Sequence, residues 1–342
     1  MPVTYYQLDK STTSIPATSG ATSYVDGFYG VNGTLEYLIA EVDLTLASTV
    51  AVTTGIDALI SSMKITINGD LVHDWISGSA PAASSAIAGR YGYFINAIGG
   101  RVLTVPMAGD DTALKAFIAI PIGYVLNTPT PRFEMTVGWY DANLVCGASA
   151  TIASGAATWW ARFNSACERS TRVISASSFA FAGSDIAEQV VVRVPDTTMS
   201  GPTVLGCLIQ NDSEADEYSS TNAIRQLALS QFSQDVDFHR WASNELDNGV
   251  VSIAPGSGAA AATLSQSLAS KRVGALFVPL YGLKAADLTW IIASSAATTR
   301  FFHPVLTAPL QGPRQERPTQ TAIARGNVQK TVVDRSEAGT GN

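Results

Sequence analysis

The sequence predicts an all-β chain, two tandem eight-stranded antiparallel jelly rolls (a double jelly roll) with extended terminal arms. Three observations point there: short apolar runs bounded by Gly, Pro, Asn and Asp, an order of motifs in residues 35–140 that returns in residues 188–306, and a charged fraction of only 14%. Period-two or short continuous apolar runs between turn residues read as strands rather than helices. The alternating βα pattern that marks a doubly wound parallel sheet is missing from the sequence. Eight short strands in about 150 residues, made twice, match a sandwich closed by Greek-key connections.

Taken in order, strands are expected in the first half at about 35–46, 49–54, 59–67, 70–76, 91–98, 101–106, 114–120 and 132–140. Asn68-Gly69, between Ile67 and Leu71, predicts a type I′ hairpin turn, because both central positions tolerate positive φ. In the second half strands are expected at about 188–195, 203–210, 224–232, 235–241, 249–254, 272–279, 287–294 and 300–306, with short Ala-rich helices near 82–90 and 260–270. The boundaries that follow are an N-terminal arm at 1–30, a first jelly roll at 31–155, a linker at 156–186, a second jelly roll at 187–307 and a C-terminal arm at 308–342.

The two halves echo one another. Ile60 to Trp75 and Ile224 to Trp241 each carry an apolar run, a polar turn with Asp, then His-x-Trp, so His73 and Trp75 stand 166 residues before His239 and Trp241. Phe117-Ile-Ala-Ile-Pro121-Ile-Gly123 resembles Leu276-Phe-Val-Pro279-Leu-Tyr-Gly282, and Leu38 to Leu44, Gly78 to Ala83 and Met135 to Trp139 have weaker echoes in the same order. His73, Trp75, Pro121, His239, Trp241 and Pro279 are therefore expected as repeated core positions. A shared order across several weak matches is the sign of a duplicated unit.

Composition narrows the function. At 342 residues the chain is long enough for a large core without disulfide staples. Soluble domains average about 25% charged residues, so a chain this poor in charge is expected to cover its surface with other subunits. A net charge of -7 and no Lys/Arg cluster in the body weigh against sequence-specific nucleic-acid binding. The apolar runs, such as Ala116 to Ile122 and Leu288 to Ala293, are strand-sized and too short for a membrane helix. The opening MPVTYYQLDK lacks a basic segment followed by an apolar one, so no Sec signal is expected and assembly is expected in a cytoplasm.

Candidate chemistry is sparse, and no cofactor, metal or catalytic group is expected. Cys146, Cys167 and Cys207 have no CxxC spacing, which argues for buried free thiols. Gly256-Ser-Gly258 follows a predicted strand, but Pro255 interrupts the turn and no acid lies about 20 residues on, so it reads as a loop rather than a nucleotide site. Four carboxylates in Asn211 to Glu217 lack the spacing of a calcium loop and read as a solvated turn. His73 and His239 each have a nearby Asp but no nucleophile motif beside them. Trp75, Trp139, Trp159, Trp160, Trp241 and Trp290 are expected in cores or interfaces, the other reading being a sugar-binding surface.

The last 35 residues differ in kind. From Ala308 onward the chain is rich in Pro, Gln and Thr and carries Arg314, Arg317, Arg325, Lys330 and Arg335 against three acids, a net +2 that leaves -9 on the body. Such a segment cannot build a core and is expected to lie as an arm on a neighbouring subunit.

Two tandem jelly rolls, low charge, no catalytic constellation and a polar C-terminal arm resemble the double jelly-roll major capsid proteins of icosahedral phages with an internal membrane, tectivirus-like and corticovirus-like, a lineage that includes adenovirus hexon. The resemblance covers residues of about 30–307 and rests on architecture rather than on a diagnostic motif. It implies a structural, non-enzymatic virion protein, a homotrimer whose six lobes tile a shell with neighbouring capsomers and minor capsid proteins. It also implies that the basic arm could meet anionic lipid headgroups. Two alternatives stay open: a carbohydrate-binding or carbohydrate-processing tandem sandwich, and a minor virion or spike component.

Overall fold

The computed structural model describes residues 3–8, 13–16, 19–27, 33–47, 59–77, 90–104, 113–128, 131–141, 152–184, 186–211, 224–230, 275–295 and 297–310. The chain divides into two units, 1–310 and 311–342, and the second lies outside the described residues. Within the first, the described residues form eighteen strands and one helix.

Three sheets organise them. The first has the order β1 (Thr4–Gln7), β10 (Ile152–Phe163), β4 (Gly33–Leu46), β8 (Ala113–Leu126), β7 (Arg101–Thr104), with β2 (Thr13–Ser14) also on β10. The second runs β16 (Ala275–Lys284), β14 (Thr203–Asn211), β18 (Ala297–Pro309), β11 (Arg169–Val173), β6 (Asp70–Ile76), β5 (Ile60–Ile67), β9 (Arg132–Trp139), β3 (Gly20–Gly27), and β12 (Ser177–Ala182) also pairs with β18. The third is β13 (Ala187–Val192), β17 (Leu288–Ser294), β15 (Ile224–Leu229). Pairing is antiparallel throughout the described ladders except where β11 meets β6 in parallel, Val173 opposite His73.

The cores follow from these layers. One apolar cluster fills the space between the first sheet and the β6-β5-β9-β3 end of the second, with Leu38, Val42, Ile65, Trp75, Ile118, Val137 and Trp159 among its members. The other lies between the β16-β14-β18 end and the third sheet, around Val192, Cys207, Ile209, Val278, Trp290 and Phe302. The result is two antiparallel sandwiches in tandem, sharing one nine-stranded sheet.

Several expectations are corrected. Residues 91–98, expected as a strand, form the helix α1 (Arg90–Ala97). Gly99 has φ +90°, Gly99 N–H donates to the Asn96 carbonyl and Gly100 N–H to that of Ile95, the paired bonds of a Schellman ending. Within 1–30, expected as an arm, β1 and β2 pair with β10 and β3 pairs with β9, so the chain's own first sandwich takes them up. The expected linker, 156–186, contains most of β10 together with β11 and β12. Strands expected at 49–54, 235–241 and 249–254 and the helix expected at 260–270 lie outside the described residues, as does the helix expected at 82–90 except for Arg90, which opens α1.

Candidate functional site at the seam between the barrels

The strands β14, β16 and β18 are buried on both faces. Cys207, Ile209, Leu276, Val278, Phe302 and Leu306 point into the second core, while Leu208, Ala275, Phe277 and Val305 belong to the first. A strand with two buried faces needs a continuous apolar run instead of an alternating one, which Leu276 to Leu280 supplies and which Phe301 to Leu306 supplies apart from His303. Helix α1 packs here, and residues Arg90 to Ile95 are all buried. Tyr93 Oη accepts the Phe277 N–H at 2.9 Å, satisfying a backbone donor of the outermost strand of this sheet.

The end of β6 gathers polar contacts from the other elements. Arg90 donates from Nη1 to the Ser77 carbonyl at 2.8 Å and to the Asn211 carbonyl at 3.1 Å, tying β6 to β14 through α1. The Ile76 carbonyl accepts from the Gln210 side-chain amide and from His303 Nε2 at 3.1 Å. His73 Nε2 shares a hydrogen bond of 3.2 Å with the Tyr91 hydroxyl. Phe94 touches both imidazoles, with ring centroids 6.0 Å from His73 and 6.4 Å from His303, and Trp75 stacks on His303. Burial pulls both histidines down, His73 to about 3, with His303 as the second cause, and His303 to about 4. Each is held neutral at the seam.

The predicted positions fall in different places. His73 and Trp75 sit fully buried on β6, and the partner brought to His73 is His303, a residue that the repeat did not single out. His239 and Trp241, and the arm residues Arg314, Arg317, Arg325, Lys330 and Arg335, lie outside the described residues. Pro121 and Pro279 occupy matching irregularities: Pro121 faces Tyr37 where the β4·β8 register slips, and Pro279 faces Gly206 where the β14·β16 register slips. Proline has no N–H for a ladder, so a bulge is where a strand tolerates it.

No family model and no curated protein matches this sequence. Two solved structures cover it nearly end to end. The crystal structure of the STIV MCP, a major capsid protein, has a TM-score of 0.54 at 9% identity, covering 90% of this chain and 97% of that one. A chain of the atomic structure of Sulfolobus Turreted Icosahedral Virus has a TM-score of 0.55 at 8% identity, covering 94% of this chain and 97% of that one. The chain has the double jelly-roll fold.

Elsewhere on the double jelly roll, a cleft of about 390 Å³ is lined by Glu36, Tyr37, Pro121, Gly123, Cys167 and Arg169, among others. Gly123 has φ +60°, and a Cβ there would collide with the Arg169 carbonyl, so this approach of β8 to β11 requires glycine. Beside it Arg172 donates to the Ile122 carbonyl at 3.2 Å and lies over the Tyr124 ring, while the Tyr124 hydroxyl donates to Asp70 at 3.0 Å. Burial lowers Arg172 to about 10 and raises the half-buried Cys167 thiol, which donates to the Arg169 carbonyl. A thiol held protonated by burial and by the neighbouring carboxylates Glu36 and Glu168 is a weak nucleophile. Among the described residues no group of three or more His, Cys, Asp or Glu side chains could hold a metal ion.

The aromatic side chains do not form an exposed platform among the described residues. Trp75, Trp139, Trp159 and Trp290 are fully buried in the two cores. Trp160 is half-buried and donates to Glu41 at 3.3 Å.

Proposed function

We propose that this chain is a major capsid protein, a structural and non-enzymatic subunit of an icosahedral virion. The observation that carries the reading is the architecture itself: two sandwiches fused through one nine-stranded sheet, similar along almost the whole of both chains to the STIV MCP. Three copies of a two-lobed subunit give six lobes from threefold symmetry, a pseudo-hexagonal trimeric tile whose lateral contacts repeat around it. Interfaces of that permanent kind are large and apolar, which accounts for a chain with 14% charged residues.

The finer parts of the reading are proposals of the same kind. The host is a bacterium whose phage encloses a membrane, assembly takes place in the host cytoplasm, and the partners are neighbouring capsomers and minor capsid proteins. The C-terminal arm, expected at 308–342, meets lipid headgroups or a neighbouring capsomer through Arg314, Arg317, Arg325, Lys330 and Arg335. The bulged prolines Pro121 and Pro279 mark equivalent strands of a duplicated barrel.

The test is the mass of the purified native protein by light scattering, with negative-stain imaging of the same fraction. A stable trimer with a hexagonal outline is expected. A compact monomer at micromolar concentration overturns the reading.

A further inference from the structure

We propose that His73 and His303 form an acid-sensitive latch that keeps the two barrels docked while both rings are neutral and releases the seam when they are protonated. The inference goes beyond the capsid reading and stands whether or not the chain builds a shell.

The geometry leaves each ring one hydrogen-bonded nitrogen. A carbonyl can only accept, so the His303 proton is assigned to Nε2, facing Ile76. The bond to Tyr91 occupies His73 Nε2. The Nδ1 atoms of both rings are buried without a hydrogen-bond partner of ordinary geometry. A bare lone pair there is tolerable; at His73 a second proton would put an N–H into buried surroundings without a bonded acceptor, while at His303 the backbone of Asp74 and Ile174 offsets part, but not all, of the cost of burying the charge. The two charges would also repel each other across Phe94, the ring they share.

The charged groups on the surrounding elements offer no relief. On β6 they are Asp70, engaged by Tyr124, and Asp74, engaged by Ser175, and both lie on alternate positions of the strand from His73 and Trp75. On α1 there is Arg90, itself a buried cation; on β11 there are Arg169 and Arg172; on β18 there is Arg300, three residues from His303, donating to Ser294 at 2.8 Å. Strand β14 carries no charged residue, β16 carries Lys284 at its last position, and β5 carries Lys64. Among these, the buried charged side chains are the cations Arg90, Arg172 and Arg300, and none is a carboxylate that would favour a charged imidazole.

The position makes the pair a latch and not merely a core feature. His73 belongs to the first barrel's end of the shared sheet and His303 to the second's, and the only ladder contact between β6 and β11 is the single parallel bridge at His73. The side-chain bonds to Ile76 add to that joint, beside the Arg90 bonds to Ser77 and Asn211 and the packing of Leu208, Phe277 and Val305 in the first core. For a group kept neutral when folded, stability is complete above its unfolded value of about 6.5 and falls as the pH drops through the folded values. Loss should therefore begin below about pH 6.5 and continue to about pH 4 and about pH 3 for the two rings.

The experiment measures the unfolding constant of the full chain by urea titration between pH 7 and pH 4.5. His303→Gln, which keeps a donor for Ile76, and His73→Gln, which keeps one for Tyr91, are compared with the parent. Each histidine contributes up to a tenfold rise in the unfolding constant per pH unit below 6, so each variant should flatten the slope by up to one decade per unit and the double variant by up to two. Unchanged slopes overturn the proposal and assign the acid sensitivity to carboxylates. Hydrogen exchange on the unmodified protein gives a second reading should a variant fail to fold. Protection in α1, β6 and β18 should be lost at higher pH than in β4 and β8, and equal loss in all of them overturns the latch.

Discussion

Strands β4 and β14 have opposite chemistry although each lies between two neighbours in its sheet. In β4 buried and exposed positions alternate, and its outward side chains include Glu36, Glu41 and Asp43, answered by Lys115 on β8 and Arg162 on β10. In β14 six consecutive residues, Gly206 to Asn211, are buried, and the strand has no charged residue. One strand separates a core from solvent, whereas the other separates two cores. The low charge of this chain therefore has an internal source, the shared sheet, in addition to any surface covered by neighbours.

The largest break in this contrast is expected from Phe277→Ala. Its ring is fully buried in the first core, so close to β14 that a Cβ at Gly206 would collide with it, while its N–H donates to Tyr93 of α1. Losing a fully buried phenylalanine typically costs about 3–5 kcal/mol, and urea denaturation should show the midpoint falling in a single transition if the barrels unfold together. Arg90→Met should follow, at about 2–3 kcal/mol, because the Ser77 and Asn211 carbonyls lose a charged donor in a buried setting. The same denaturation assay reads it. Lys115→Ala marks the solvent-facing extreme: its pairs with Glu41 and Asp43 are exposed and screened by salt, so the midpoint should stay unchanged.

Much of the sheet architecture was legible because it rests on local pattern. Asn68 and Gly69 have φ of 53° and 83°, the type I′ turn expected of that dipeptide, and β4, β5, β6, β9 and β14 begin or end within about two residues of their predicted positions. Helix α1 was not, since Tyr91, Tyr93 and Ile95 alternate like a strand while Tyr91, Phe94, Ile95 and Ile98 also fit a helical period. The Gly99-Gly100 stop was the available signal for the helix. Strand β10 was hidden by small residues: Ala153-Ser154-Gly155-Ala156 reads as a loop, yet at Gly155 a Cβ would crowd Leu44 and Ile15. The seam itself could not be read at all. Pairing His73 with His303 depends on contacts 230 residues apart in the chain, and a continuous apolar strand does not disclose which core lies on which side.

The place of β18 in the sheet has a consequence for how the protein comes into being. It is hydrogen-bonded to β14 on one side and β11 on the other, and it is the last strand of the first unit. During synthesis, until Pro309 has left the ribosome, β16 and β14 have no ladder to β11, β6, β5, β9 and β3, and the second barrel lacks its central strand. Pairing across such distances in the chain is slow. The nascent polypeptide thus cannot complete this double sandwich, or offer its finished surface to other copies, before β18 has been translated.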